Sequence, residues 1–250
     1  MKKQTLPGTV AEIEHHGKRV KYFAPNDTTR WRVETLMTKE PDTIAWIERL
    51  EPGAVLYDVG ANVGLYTIWA AVTRGVRVYA FEPESQNYAI LNTNVLLNEL
   101  HEQVSAYCVA ISDAMSFDHL HLSGFLPGGS LHNFGEARDY HDRPVRSEFR
   151  QGSVGVSLDE LIERFGLPAP AYLKIDVDGI EPKIIRGARK LIAGTALKSV
   201  VVEVNTHLDE HWKIIDTMLE AGFDYAAEQV ERSVRSDGPF KGIGNYVFSR

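Results

Sequence analysis

Short apolar segments alternate with longer, partly polar segments over most of the chain, from residue 54 onward. Five apolar segments have the length of buried strands, at residues 54–59, 76–81, 104–111, 171–175 and 199–204. Five further segments have helical length and apolar spacing, at residues 66–73, 85–100, 158–165, 184–192 and 208–221. Strands joined by helical crossovers predict an α/β fold with a parallel sheet and helices on both faces. Right-handed crossovers place the loop after each strand at one edge, where such sheets bind ligands.

The N-terminal part of the chain departs from this alternation. Residues 9–24 predict a short hairpin around a polar turn. Residues 31–50 predict a helix in two pieces that break at Pro41. We therefore expect a hairpin and helical extension over residues 1–52.

The remainder, residues 53–250, is expected to be one domain with an insertion at about 117–155. The insertion is rich in Gly, His and Arg. It is also longer than an ordinary connection, and loops of that length are uncommon unless they serve a function or are disordered. Predicted strands at 223–227 and 245–248 follow each other without a helix, so we expect one of them to run antiparallel.

The composition is that of an ordinary folded domain, with 44% apolar and 24% charged residues. The net charge of −7 disfavours a partner attracted through a polyphosphate field, so we expect no nucleic-acid partner. Cys108 is the only cysteine, so no disulfide can form within the chain. Residues 1–8 lack the apolar stretch of a signal peptide, and no apolar run has the length of a membrane span. We therefore expect a soluble, cytoplasmic protein.

A glycine-containing turn follows the first strand, in the sequence YDVGANVGLYT at residues 57–67. Glycines there allow a tight turn and close approach of a ligand to the backbone. A helix N-terminus already attracts anions, so the acid Asp58 suits a ligand with a positive group, such as the ammonium of a methionyl moiety. The alternative is a turn in which Asp58 caps the helix. An NAD fingerprint requires glycine where Asn62 stands, which disfavours a dinucleotide.

The second strand ends at Phe81-Glu82-Pro83. A carboxylate about 20 residues past the first glycine hydrogen-bonds ribose hydroxyls in nucleotide-binding folds, and Pro83 fixes the turn that aims it. The alternative is a solvated acid at a strand end. The spacing from the Asp58 loop favours the ribose contact.

Three acids, Asp176, Asp178 and Glu181, follow the fourth strand in the sequence LKIDVDGIE. One of them can orient a cofactor or substrate and another can accept a proton. Alternatively they can hold a divalent cation, which prefers carboxylate oxygens. Asp178-Gly179 is also typical of a turn, and Glu181 suits the first turn of a helix. We expect functional roles for Asp176 and Asp178, and leave both interpretations of Glu181 open.

Glu203, Asn205 and His207 lie at and after the end of the fifth strand. Glu203 and Asn205 share a face if the strand continues through them. His207 is a candidate base, or alternatively a surface histidine at a helix start. Asp176, Glu203 and Asn205 also offer oxygen ligands for a metal-assisted reaction, but we expect no metal.

The segments DVGANVGLYT, FEP, AISD, LKIDVDGIEPKIIRGA and VVVEVN together resemble the FkbM family of methyltransferases, over about residues 57–205. The resemblance implies a Rossmann-like class I methyltransferase fold, with a seven-stranded, mostly parallel sheet and one antiparallel strand. It implies S-adenosyl-L-methionine as cofactor and O-methylation of a hydroxyl group on a sugar, glycan or natural product. One departure is Asp178, where this family more often has glutamate.

The resemblance also implies which residues contact the cofactor. The methionyl side would be held by Asp58, Gly60, Asn62, Gly64, Tyr66 and Thr67. Glu82 would hold the ribose diol beside Pro83, and Ala110 and Ile111 would border the adenine. Asp176 would lie near the transferable methyl group.

Methyl transfer to a hydroxyl requires an aligned oxygen and a base. We rank Asp176 first as this base, then Glu203, then His207. The insertion offers side chains that suit a sugar or an anionic acceptor, namely His132, Arg138, Tyr140, Arg143 and Arg146. Acceptor contacts are assigned to Asp178, Asn205, Arg138 and Arg143.

Two alternative functions stay open. An NAD(P)-dependent oxidoreductase of Rossmann type would explain the Asp58 loop and Glu82, but not Asn62 or the acids around Asp176. A non-catalytic cofactor-binding domain would bind the cofactor without a competent acceptor pocket. The sequence leaves the acceptor and the oligomeric state open.

Overall fold

The computed structural model describes residues 9–250; residues 1–8, on which the expectation about a signal peptide rests, lie outside the described residues. The strands are, in chain order, β1 (Thr9–His15), β2 (Lys18–Ala24), β3 (Val55–Val59), β4 (Arg77–Phe81), β5 (Val104–Tyr107), β6 (Ala110–Ile111), β7 (Ser116–Leu122), β8 (Asn133–Phe134), β9 (Phe149–Val156), β10 (Tyr172–Ile175), β11 (Ser199–Asn205), β12 (Asp224–Tyr225) and β13 (Ile243–Ser249). The helices are α1 (Asp27–Glu34), α2 (Leu36–Lys39), α3 (Pro41–Ile47), α4 (Leu65–Arg74), α5 (Ser85–Leu97), α6 (Leu158–Glu163), α7 (Glu181–Arg186), α8 (Arg189–Ala193), α9 (Asp209–Glu220) and α10 (Ala227–Ser233).

The N-terminal extension begins with the expected hairpin, in which β1 and β2 pair antiparallel. The helical segment after it differs from the expected two pieces, because α1, α2 and α3 are separate helices. The chain breaks before Pro41, as expected, since the residue before a proline disfavours the helical conformation. A second break lies at Thr35, which ends α1 and begins α2.

Seven strands form the central sheet in the order β12-β13-β11-β10-β3-β4-β5. The sheet is mixed. The pairings from β11 to β5 are parallel, whereas both pairings of β13 are antiparallel. The parallel register places Lys174 beside Asp58 and Val59 beside Phe81. The carboxyl ends of β10, β3 and β4 therefore meet at one edge.

The middle of the chain differs from the sequence expectations. The predicted strand at residues 104–111 is two strands, because β5 stays in the central sheet while β6 pairs with β9. Much of the insertion at about 117–155 is also not a loop. Strands β7, β8 and β9 join β6 in a second sheet of order β6-β9-β7-β8.

Two helical regions near the C-terminus also differ from expectation. The predicted helix at residues 184–192 is divided into α7 and α8 at Gly187. A Cβ at position 187 would overlap the carbonyl oxygen of Ser112, so this position requires glycine. The last two strands do not follow each other directly, because α10 lies between β12 and β13.

Apolar side chains cover both faces of the central sheet. Tyr57 and Val59 pack on the face covered by α6 to α9. Leu56 packs on the opposite face, with Ile68 of α4 and Leu91 of α5. Successive residues of β3 thus serve opposite faces, as strand geometry requires. Among residues 9–250 no helix combines the length and the apolar character needed to cross a membrane.

Candidate active site

The loop between β3 and α4 turns at three residues with positive φ: Gly60 (75°), Asn62 (51°) and Gly64 (82°). A Cβ on Gly60 would overlap the carbonyl oxygen of Asp176, and one on Gly64 would overlap the side chain of Leu91. Glycine is therefore required at both positions, whereas asparagine tolerates the left-handed conformation at the third. The loop is drawn against the end of β10.

Asp58 is buried beneath this loop. It does not cap the helix, because the residue at the N-cap of α4 is Gly64. Its Oδ2 atom accepts a hydrogen bond of 2.6 Å from the hydroxyl of Thr67. Its Oδ1 atom has no hydrogen-bond partner among the described residues. Asp58 is thus held between the hydroxyl of Thr67 and the ammonium of Lys174, which lies 3.5 Å from its Oδ1 atom.

Lys174 is a buried cation that the sequence motifs did not indicate as a site residue. Its Nζ atom lies 3.5 Å from Oδ1 of Asp58 and 3.4 Å from Oδ2 of Asp176. Burial alone would lower the pKa of Lys174, but Asp176 and Asp58 together raise it above its ordinary value. Burial would raise the pKa of Asp176, but the Lys174 ammonium brings it below its ordinary value. The ring of Tyr66 lies 5.2 Å from the same ammonium.

Glu82 lies at the end of β4, and its side chain is 5% exposed. Its Oε2 atom accepts the backbone N–H of Asn62 at 2.8 Å, and its Oε1 atom accepts that of Glu84 at 2.9 Å. Burial raises the pKa of Glu82 to about 7, although both N–H donors oppose the shift. The next residue, Pro83, accepts a hydrogen bond of 2.6 Å from the amide of Gln151. Each oxygen of Glu82 retains a lone pair for a further donor.

The three acids after β10 have different surroundings. Asp178 has a φ of 63°, and its Oδ2 atom accepts the backbone N–H of Leu131 at 2.7 Å. Burial and the charge of Asp176 raise the pKa of Asp178 to about 6. Glu181 is buried in the first turn of α7, where it accepts backbone N–H groups of the acid loop at 3.1 and 3.0 Å. Glu181 thus fixes the loop that carries the other two acids.

The end of β11 brings Glu203 and Asn205 to the same edge. Glu203 pairs with the guanidinium of Arg235 at 3.1 Å. Burial and the charge of Asp176 raise the pKa of Glu203 well above its ordinary value. The amide of Asn205 donates a 2.6 Å hydrogen bond to the carbonyl of Tyr140. Asn205 thus ties the insertion to the central sheet.

A cleft opens where β3, β10 and β11 end. Five residues expected from the strand-end motifs line it, namely Gly60, Asn62, Asp176, Asp178 and Glu203. A smaller cleft shares Gly60, Asn62 and Asp176 with it and extends to Tyr66 and Lys174. Asp176 therefore lies at the junction of the two.

Eight other residues line the larger cleft, and the sequence motifs indicated only Tyr140 among them. The eight come from the N-terminal extension, the insertion and the C-terminal region, and they are Trp31, Arg32, Lys39, Ser130, Leu131, Tyr140, Arg235 and Phe240. Of the insertion side chains expected to face an acceptor, only Tyr140 is among the described residues lining this cleft. These eight residues carry no motif spacing, because the fold alone brings them together.

Other expected site residues lie away from both clefts. Arg143 pairs with Asp139, and Arg138 pairs with Glu136 and Asp142 within the insertion. Arg138 lines a separate cleft beside α7. The charges of both arginines are thus directed to acids of the insertion.

His207, Ala110 and Ile111 are also absent from the linings of both clefts. His207 is exposed, and its Nε2 atom lies 3.0 Å from the carbonyl of Lys241. Ala110 and Ile111 are buried in the apolar core, on the strand that joins the second sheet. The structure therefore leaves His207 outside the group formed by Asp176 and Glu203.

A grouping of potential metal ligands lies elsewhere in the molecule. Among residues 9–250, the one set of three His, Cys, Asp or Glu side chains whose ligand atoms all lie within 4.8 Å is His15, His16 and Glu48. It lies at the turn of the N-terminal hairpin. The acids of the cleft do not form such a set among the described residues.

Comparison with protein families gives a match over residues 58–225 to the family described as "Methyltransferase FkbM domain". Two relatives are similar over most of the chain. The 31-O-demethyl-FK506 methyltransferase FkbM of Streptomyces tacrolimicus is 29% identical, over 72% of this chain and 76% of its own length. The hexuronic acid methyltransferase AglP of Haloferax volcanii is 24% identical, over 80% of this chain and 75% of its own length.

A solved structure shares the fold. The crystal structure of methyltransferase FkbM from Methylobacillus flagellatus KT superposes with a TM-score of 0.53 and 14% sequence identity. The match covers 90% of this chain but 55% of that structure, so the chain spans about half its length.

Proposed function

Because the chain belongs to the methyltransferase FkbM domain family, we propose that it transfers a methyl group to a hydroxyl oxygen of a sugar, glycan or natural product. The observation that carries this proposal is the position of Asp176. It lies between the smaller cleft beneath the glycine loop and the larger cleft lined by Asp178 and Glu203. A base at such a junction faces both a methyl donor and an acceptor.

The cofactor is S-adenosylmethionine. Its sulfonium supplies an electrophilic methyl group when bound. The residues at the strand ends fit it, because the turn at Gly60 brings backbone to the cleft and each oxygen of Glu82 accepts one backbone N–H and keeps a lone pair. We assign the methionyl side to Asp58, Gly60, Asn62 and Tyr66, and the ribose hydroxyls to Glu82.

Asp176 is the proposed base. Its pKa is held low by Lys174 against the effect of burial, so it is ionised and can accept a hydroxyl proton. Glu203 is the second candidate, but its raised pKa favours the protonated form, which donates rather than accepts. His207 becomes the weakest of the three candidates because it is exposed outside the cleft.

The larger cleft is the proposed acceptor site. The side chains of Trp31, Tyr140 and Phe240 offer aromatic surfaces, and the rings of Tyr140 and Phe240 lie 4.5 Å apart. Arg32 and Lys39 add positive charge on the same lining. Aromatic and cationic side chains together suit a sugar that carries an acidic group. The name of the Haloferax relative, a hexuronic acid methyltransferase, supports this choice.

This assignment gives each proposed region a role. We assign residues 53–250 to the methyltransferase domain and residues 1–52 to the N-terminal extension, whose helices α1 and α2 close one side of the cleft. The insertion at about 117–155 closes the opposite side. Arg138 and Arg143 of the insertion lie away from both clefts, so we no longer assign them to the acceptor.

The test is methyl transfer from S-adenosylmethionine with a labelled methyl group. The acceptors are a panel of uronic acid glycosides, neutral glycosides and hydroxylated polyketides, with products analysed by mass spectrometry. We expect a methyl ether on a uronic acid glycoside. Label on a carboxylate or on nitrogen contradicts O-methylation of a hydroxyl. Cofactor binding without transfer to any member would favour the non-catalytic alternative.

A further inference from the structure

A six-residue segment of the insertion, residues 126–131, crosses the cofactor edge of the sheet; we call it the strap. Its centre is Gly129, whose carbonyl accepts hydrogen bonds from the amides of Asn62 at 2.6 Å and Asn87 at 3.1 Å. The backbone N–H of Gly128 donates to the side-chain oxygen of Asn87 at 2.7 Å. The strap is thus bound both to the glycine loop and to α5.

The strap is also held at both of its ends. The guanidinium of Arg32 donates to the carbonyl of Gly128 at 2.7 Å, and Asn26 donates to that of Pro127 at 2.9 Å. At the other end, Leu131 donates its backbone N–H to Asp178 at 2.7 Å. Side chains from the N-terminal extension and from the acid loop therefore hold it in place.

The strap shares a partner with the ribose acid. Asn62, which binds the strap through its side chain, donates its backbone N–H to Glu82. Glu82 is 5% exposed and does not line either cleft, although Asn62 lines both. The carboxylate of Glu82 is therefore buried next to a residue that the strap holds in place.

We propose that the strap is a lid that must release Asn62 and Asn87 before the ribose of the cofactor reaches Glu82. The inference rests on the proposed cofactor site. Release of Leu131 also frees Asp178 on the acceptor side. Cofactor binding thereby prepares the acceptor cleft, because one segment blocks a residue of each site.

The lid lowers apparent cofactor affinity by the fraction of molecules in which it is open. Loosening it should therefore tighten binding. Asn87→Ala removes two of its hydrogen bonds and leaves the proposed catalytic residues in place. Asn92→Ala is the matched control, because Asn92 lies on the same helix and bonds only to Tyr88 within that helix.

The experiment combines hydrogen–deuterium exchange with calorimetry, using S-adenosylhomocysteine as the probe. In the wild-type chain, peptides spanning the strap should exchange faster when the probe is bound, while β11 stays unchanged. Asn87→Ala should bind the probe about three- to tenfold more tightly. A change of this size in the dissociation constant corresponds to the free energy of one or two neutral hydrogen bonds. Asn92→Ala should bind as the wild type does.

Binding with unchanged or slower exchange in the strap overturns the lid and leaves the cofactor site intact. Unchanged or weaker affinity of a folded Asn87→Ala chain also overturns it. If that variant fails to fold, the wild-type exchange measurement decides alone. Absence of binding to the wild type overturns the cofactor site, and the lid with it.

Discussion

The ammonium of Lys174 lies 3.5 Å from a carboxylate oxygen of Asp58 because the two residues are register partners on the parallel strands β10 and β3. The same ammonium lies 3.4 Å from Asp176, which follows the end of β10 and lies two residues further along the chain. One buried cation thus serves two carboxylates of the site. It keeps Asp176 ionised at the point where the two clefts meet.

Replacing Lys174 by methionine should destabilise the protein strongly. The change leaves the buried carboxylate of Asp58 without its cation, and breaking a buried pair in this way costs about 3–5 kcal/mol. Urea unfolding gives the free energy of unfolding directly. Lys190→Met is the control, because Lys190 pairs with Glu163 on the exposed surface and should leave the midpoint unchanged. Equal midpoints for Lys174→Met and the wild type would contradict the cluster.

Glu181 should make stability depend on pH. Burial raises the pKa of Glu181 from 4.5 to about 7, so protonation favours the folded state. Its contribution is fully present below pH 4.5 and is lost as the pH rises through about 7. Glu181→Gln remains neutral, so the slope of unfolding free energy against pH should flatten by roughly 1.4 kcal/mol per pH unit over this range. An identical slope in the variant would show that Glu181 does not titrate there.

The sequence located the cofactor edge because each motif follows an apolar strand and parallel strands end together. Asp58, Glu82 and Asp176 lie at that edge for this reason. Lys174 was not expected to be a site residue. It interrupts the apolar run of β10, and that interruption is the one sequence signal that this buried strand carries a charge. A charge inside such a strand requires a partner, and sequence alone does not identify the partner.

The rest of the cleft depends on contacts between distant segments. Strand β9 pairs with β6 and β7 across the insertion, and no local pattern encodes that register. Trp31 and Phe240 meet at the cleft although more than half of the chain separates them. His207 illustrates the converse, since a short distance in sequence from Glu203 leaves it outside the cleft.

Asp176→Asn should lower the rate of methyl transfer by about 10²–10⁴-fold, the usual contribution of a general base. His207→Ala should leave the rate near that of the wild type, because His207 is exposed outside the cleft. Single-turnover assays measure the rates of both variants, with an acceptor identified in the panel of glycosides and polyketides. Full turnover in Asp176→Asn with an unchanged pH profile would show that another group takes the proton.

Arg235 should contribute to acceptor binding more than Arg138 does. Arg235 lines the acceptor cleft beside Glu203, whereas Arg138 pairs with Glu136 in a separate cleft. Loss of one charged hydrogen bond costs about 1.5–3 kcal/mol, so Arg235→Met should raise the acceptor KM by about tenfold or more. Arg138→Met should change it little. Equal effects from the two variants would place the acceptor elsewhere.

Calorimetric titration of S-adenosylhomocysteine into the wild type, Glu82→Gln and Glu102→Gln tests most directly whether the strand-end edge is the cofactor site. Glu102 is a matched exposed acid. We predict one site in the wild type and in Glu102→Gln, and about 10- to 100-fold weaker binding in Glu82→Gln, since an amide accepts one ribose hydroxyl less well. No binding to the folded wild type, or equal affinity in all three, would contradict the assignment.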